Sequence, residues 1–152
     1  MKLLMRGTED GFTADKFHKL CDRKGPTLTV IKVENDYLHD SIFGGYTTLS
    51  WESPMLPVDL PDPKAFLFSL NHETIHSVKK SYSAVTHRKD SLAIFGAGYD
   101  ISLSNNCNQN TNSRSYFGCY YELPETMEVG TEEAKTYLAG LFNFNVKELE
   151  VF

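Results

Sequence analysis

The pentapeptide His72-Glu73-Thr74-Ile75-His76 has the residue types and spacing to do chemistry. On a helix, its two histidines would sit one turn apart on one face, where they could ligate zinc with the glutamate as general base. Periodicity permits that helix, because Ile75, Val78, Tyr82 and Val85 recur at helical intervals. The rest of a zinc site is missing. The residues after His76 read Ser77-Val78-Lys79-Lys80-Ser81-Tyr82, without the HxxGxxH extension, and no Glu occurs between His76 and Glu122 to serve as a third ligand. A zinc hydrolase using His72, Glu73 and His76 is therefore the alternative reading, not the leading one.

Other reactive types are equally incomplete. Cys21, Cys107 and Cys119 have no CxxC spacing. Cys21 falls on the apolar stripe of a helical pattern and Cys119 in an aromatic run, so both read as small core residues. Cys107, in an Asn-rich loop, is the one thiol expected at the surface, with Arg114 as a possible cationic neighbour. A thiol-dependent peroxide scavenger is the second enzymatic alternative. Gly96-Ala97-Gly98 lacks a third glycine and precedes a strand, so it reads as backbone relief beneath Phe95 and Tyr99, not as a phosphate cradle. Asp100, Glu122 and Glu150 fall at strand-like positions and are expected to pair with backbone N–H groups or with Lys and Arg across a sheet. No Gly-x-Ser-x-Gly elbow occurs. No catalytic, cofactor-binding or metal residue is assigned. Tyr120, Tyr121 and Phe152 are the aromatics expected to contribute to an interface.

The elements that must position these residues are mostly strands. Thr13 is a candidate N-cap for a helix over Ala14–Arg23, with Phe17, Leu20 and Cys21 on one stripe and Gly25 as its stop. Thr27–Val33 alternates as a β-branched strand, Asn35-Asp36 reads as a turn, and a second strand is expected over Ile42–Trp51, where Gly44-Gly45 mark a bulge or close backbone approach. The four prolines of Glu52–Pro63 indicate a surface loop, not a strand. Ala65–Leu70 reads as a doubly buried central strand, and residues 71–93 hold one or two weak ones. From Ile94 to Pro124 the pattern predicts a large hairpin, with arms at Tyr99–Leu103 and Tyr116–Leu123. Thr131 caps a second helix to about Leu141, with Ala134, Tyr137, Leu138 and Leu141 inward, and Phe144–Phe152 alternates as a last strand.

Composition bounds the rest. The 152 residues are 41% hydrophobic and 23% charged, which fits one globular domain over 1–152. A net charge of −5 without a Lys/Arg-rich run excludes nucleic acid as the expected partner; Lys79-Lys80 and His87-Arg88-Lys89 read as solvated turn residues. No window approaches a membrane span, and the N-terminal MKLLMRGTEDG lacks a signal peptide's apolar region. With unpaired cysteines and no Asn-x-Ser/Thr acceptor, a cytoplasmic setting without direct membrane insertion is expected.

Taken in order, KLLMRGTEDGFTADKFHKLCDRKGPTLTVIK, IFGGYTTLSW, AFLFSL, FGAGYDISLSNNCNQN, YELP and FNVKELEVF resemble a TLDc domain over nearly the whole chain. The resemblance implies an α+β, mostly-β fold: a two-sheet antiparallel β-sandwich flanked by about two helices. It also places a hairpin turn directly after FLFSLN, where His72 and His76 would lie too far apart along an extended strand to share a metal easily. It implies no catalytic site. The implied function is a non-enzymatic protein-interaction module linked to oxidative-stress resistance, binding or regulating the vacuolar-type proton-pumping ATPase and so peripheral to endolysosomal or vacuolar membranes through that partner.

Overall fold

The structure, a computed structural model, describes residues 1–35 and 39–152. The chain opens with β1 (Met5–Arg6), a single-turn α1 (Gly7–Asp10) and α2 (Ala14–Cys21), then pairs β2 (Thr27–Val33) with β3 (Ser41–Thr47). β4 (Val58–Leu60) precedes the hairpin of β5 (Phe66–Ser69) and β6 (Thr74–Ser77). β7 (Val85–His87), β8 (Ser91–Phe95), β9 (Ile101–Ser104) and β10 (Ser113–Arg114) follow, and α3 (Glu132–Thr136), β11 (Asn143–Phe144) and β12 (Glu148–Val151) close the chain. The strands form two antiparallel six-stranded sheets, ordered β1-β12-β2-β3-β5-β6 and β11-β10-β9-β8-β7-β4. This is the expected mostly-β sandwich, with α1 added to the two expected helices.

Local chemistry explains the best-formed elements. Thr13 Oγ1 accepts the Lys16 N–H at 3.2 Å, capping α2, and Phe17 and Cys21 are wholly buried on its inner stripe. The helix stops at Cys21, short of the expected Arg23, because Asp22 is extended (φ −64, ψ 142) and bridges Trp51. β2 alternates inward Thr27, Thr29, Ile31 and Val33 with half-buried Leu28, Val30 and Lys32.

The sheets meet through aromatic rings. Phe43 and Phe144 pack edge to face at 5.6 Å, and Trp51 does the same with both Phe17 and Phe95. Gly45 makes the closest approach possible: a Cβ there would stand 2.6 Å from the Phe95 ring. Close approach at Gly44-Gly45 was legible as a possibility; its partner across the sandwich was not.

Several boundaries differ from expectation. β3 ends at Thr47, leaving Trp51 outside it. The proline-rich segment is not wholly a loop, because Val58–Leu60 forms a short strand against β7, limited by Pro57 and Pro61 on either side. The second arm of the predicted hairpin is Ser113–Arg114 alone, and Tyr116–Leu123 is turns with one isolated bridge, Val78–Tyr121. His87 is buried in β7, not solvated. α3 stops at Thr136, Gly140 follows at φ +78, and Leu141 is exposed, not inward. Phe144–Phe152 divides between the sheets as β11 and β12. The turn expected at Asn35-Asp36 falls partly outside the described residues.

Gly45→Val should overpack this contact and lower unfolding free energy by about 1–3 kcal/mol in urea titration. Wild-type stability in that variant would contradict the inter-sheet role of Gly45.

Candidate functional site

The HExxH match lies on the β5–β6 hairpin, so its histidines are not one helical turn apart. His72 is in the turn and stacks on Tyr137 at 4.1 Å, its Nε2 lying 3.2 Å from the Tyr137 carbonyl oxygen. His76, on β6, is buried edge-on to Phe117 (4.8 Å) and Tyr137 (5.5 Å), with Nε2 2.8 Å from Thr74 Oγ1. The turn folds His72 back, so both rings meet one tyrosine, nearer each other than an extended strand would place them. Both Nε2 atoms nevertheless have protein partners, and Glu73 is exposed at φ +55. Among the described residues, no group of three or more His, Cys, Asp or Glu could hold a metal ion. The arrangement pins the hairpin to the segment after α3.

Cys21 lies in the core as expected, while the expectations for Cys107 and Cys119 reverse. Cys107 is wholly buried, its carbonyl accepting the Val146 N–H at 2.8 Å, and burial pushes its thiol up to about 12. Cys21 is pushed up to about 12, also chiefly by burial. Cys119, expected in the core, is the half-exposed one. Loop polarity misled because Cys107 turns inward among asparagines that face solvent.

Asp100 is where the sequence reading undersold a residue. It is wholly buried, and its carboxylate accepts backbone N–H groups from Gly118 (3.0 Å), Tyr120 (2.9 and 3.1 Å) and Tyr121 (3.2 Å). Ser115 Oγ donates to its carbonyl at 2.9 Å. Gly96 (φ +81) lies so close that any Cβ there would strike the carboxylate. One side chain thus replaces the ladder partner that Tyr116–Leu123 would have needed, which is why that arm is not a strand. Burial pushes the carboxyl up to about 6, against the pull of those N–H donors. Glu150 bonds Arg6 Nε at 2.7 Å across the sheet, as expected, while Glu122 is exposed.

A second buried carboxylate holds a second loop. Asp62 accepts from Thr47 Oγ1 (2.7 Å), Thr48 N (2.7 Å), Thr48 Oγ1 (2.9 Å) and Lys64 N (3.1 Å). Burial works against its ionisation, but these donors outweigh it and hold the group below the usual carboxylate range. Its own N–H donates to Ser81 O at 3.0 Å. The two anchored loops converge on residues 78–82. Val78 N donates to Ala65 O, and Lys79 N and Lys80 N both donate to Tyr120 O. Lys80 Nζ lies 5.0 Å over the Tyr120 ring, and Tyr82, 64% exposed, meets that ring edge-on at 6.1 Å. Of the expected interface aromatics, Tyr120 and Phe152 are half-buried; Tyr121 is wholly buried, its hydroxyl donating to Ala84 O at 2.6 Å.

Two further features were not among the sequence expectations. His18 is buried on α2, with Nδ1 2.7 Å from Asp22 Oδ1 and Nε2 2.9 Å from the carbonyl oxygens of Arg88 and Ser91. It ties the helix to the β7–β8 turn, beside a concavity of about 740 Å³. The outer face of the first sheet carries an apolar concavity of about 560 Å³ lined by Leu28, Phe66, Phe68, Leu70 and Ile75, with Tyr46 stacked on Phe66 at 5.1 Å.

Asp100→Ala would leave several buried N–H groups unpaired and should cost at least about 2 kcal/mol in chemical denaturation. An unchanged midpoint would contradict the anchoring role. His76 is lowered by burial. Above pH of about 6.5 it is neutral folded or unfolded; below that the unfolded chain protonates first and stability falls. Asp100 acts in the opposite sense, its contribution being full below about pH 4 and lost as pH rises through its folded value. His76→Gln should therefore lose less stability than wild type on acidification below about pH 6.5. Equal losses in paired urea titrations would refute this assignment.

The family model for the TLDc domain matches residues 1–152, the whole chain. A search of curated proteins returned no match.

Proposed function

Because the chain belongs to the TLDc domain family, we propose that it is a non-enzymatic protein-interaction module that docks on the vacuolar-type proton-pumping ATPase. The match over the whole chain carries this reading, since the family is linked to oxidative-stress resistance and is generally non-catalytic. The disposition of reactive groups supports it. The histidine Nε2 atoms of the HExxH match are engaged by Tyr137 and Thr74, and burial disfavours the thiolates of Cys21 and Cys107. Among the described residues no helix is long and apolar enough to cross a membrane. In this reading the module works in the cytoplasm and reaches endolysosomal or vacuolar membranes through its partner.

Affinity capture from cells, with and without peroxide, should recover subunits of this ATPase, and deleting the module should alter organelle acidification. Capture without those subunits and unchanged acidification would refute the proposal. Stoichiometric zinc, or peroxide consumption by the purified protein, would favour an enzyme instead.

A further inference from the structure

The segment around residues 78–82 gathers lysines that lie apart in sequence. The bonds from Asp62 N to Ser81 O (3.0 Å) and from Val78 N to Ala65 O (3.2 Å) set the 62–65 turn against this segment, which brings Lys64 to Lys79 and Lys80. All three side chains are exposed, and no ion pair among the described residues uses any of them. Nearby, Asp62 is buried with its charge turned in to neutral donors, exposed Asp59 accepts from Thr86 Oγ1 at 2.6 Å, and Glu122 stands exposed at the rim, none of them paired with these lysines. Tyr82 and Tyr120 interleave with the lysines, and Lys80 is already seated over Tyr120.

We infer that the surface formed by Lys64, Lys79, Lys80, Tyr82 and Tyr120 docks an acidic segment of a protein partner. This rests on the docking-module reading above and adds the partner's chemistry. Unpaired ammonium groups supply charge complementarity and steer encounter, while exposed tyrosine gives contact area at low entropic cost. The two buried carboxylates keep the loops in place before binding, which reduces the ordering cost. Anionic lipid fits less well, because membrane-binding basic clusters hold about four to eight Lys or Arg.

The test uses the full chain with three probes: a fluorescein-labelled polyglutamate peptide, an uncharged Gly-Ser peptide of equal length, and phosphatidylserine-containing vesicles. Polyglutamate should bind in a salt-sensitive manner, shifting the backbone NMR signals of residues 78–82 and 118–121, and the Gly-Ser peptide should not bind. Combined Lys64→Glu, Lys79→Glu and Lys80→Glu should weaken polyglutamate binding about tenfold or more. Lys2→Glu with Lys19→Glu, on exposed lysines elsewhere, should leave it within about twofold. Unchanged affinity in the triple variant, shifts confined to another face, or vesicle binding without peptide binding would overturn the inference. If polyglutamate fails while ATPase capture persists, this inference alone falls; if capture fails while polyglutamate binds this patch, only the ATPase reading falls.

Discussion

A buried carboxylate with no cation beside it is the constraint from which the surface of this domain follows. Asp100 is wholly enclosed, and its charge is answered by backbone N–H groups of Gly118, Tyr120 and Tyr121. Removing such a group from water is costly unless donors converge on it, so the loop's path is dictated by where its N–H groups must point. Residues 117–121 therefore wrap the carboxylate instead of running as a strand. The wrapping requires Gly96 and Gly118 at positive φ and turns Tyr121 inward to Ala84. Tyr120 remains at the surface, its carbonyl collecting the N–H groups of Lys79 and Lys80.

Asp62 repeats this solution on the other side of the same segment, with hydroxyl and backbone donors from Thr47, Thr48 and Lys64. The Asp62 loop is thus fixed to β3 and the 117–121 loop to the start of β9 by polar anchors. The apolar core supplies cohesion through Trp51, Phe95, Phe43 and Phe144, and Gly45 sets how closely the sheets approach. Core packing defines the scaffold, and buried carboxylates define what the scaffold displays. His72 and His76 belong to the first category: His72 Nε2 meets the Tyr137 carbonyl after α3, while His76 packs edge-on to the Tyr137 ring and spends its Nε2 on Thr74 within the same hairpin.

Wherever local pattern governs, the fold was legible in the sequence. Thr27–Val33 is a strand because alternating β-branched residues fit a half-buried sheet, and Thr13 caps α2 because its hydroxyl has an orphan N–H to accept. The failures are non-local. Tyr116–Leu123 has the composition of a strand, and only Asp100, distant in sequence from Tyr121, diverts it. Cys107 sits in a polar loop yet points to the core, and His87 is buried although Arg88, Lys89 and Asp90 follow it; His18, by contrast, shares the 14/17/21 stripe of α2. The lysine cluster was illegible for the same reason: Lys64 joins Lys79-Lys80 only through backbone bonds between separate loops. Of the interface aromatics read from sequence, Tyr121 is in the core, while Tyr82, exposed where Tyr120 is half-buried, was read only as part of a helical spacing.

On the function proposed above, a TLDc domain whose surface is set by two buried acids would present a fixed face to another protein. Hydrogen–deuterium exchange of the full chain, alone and mixed with purified vacuolar-type ATPase, tests that most directly. The account predicts slowed exchange over residues 62–65, 78–84 and 117–122 in the mixture, with the core strands unchanged. Identical exchange in both samples, or protection confined to segments away from these loops, would contradict it.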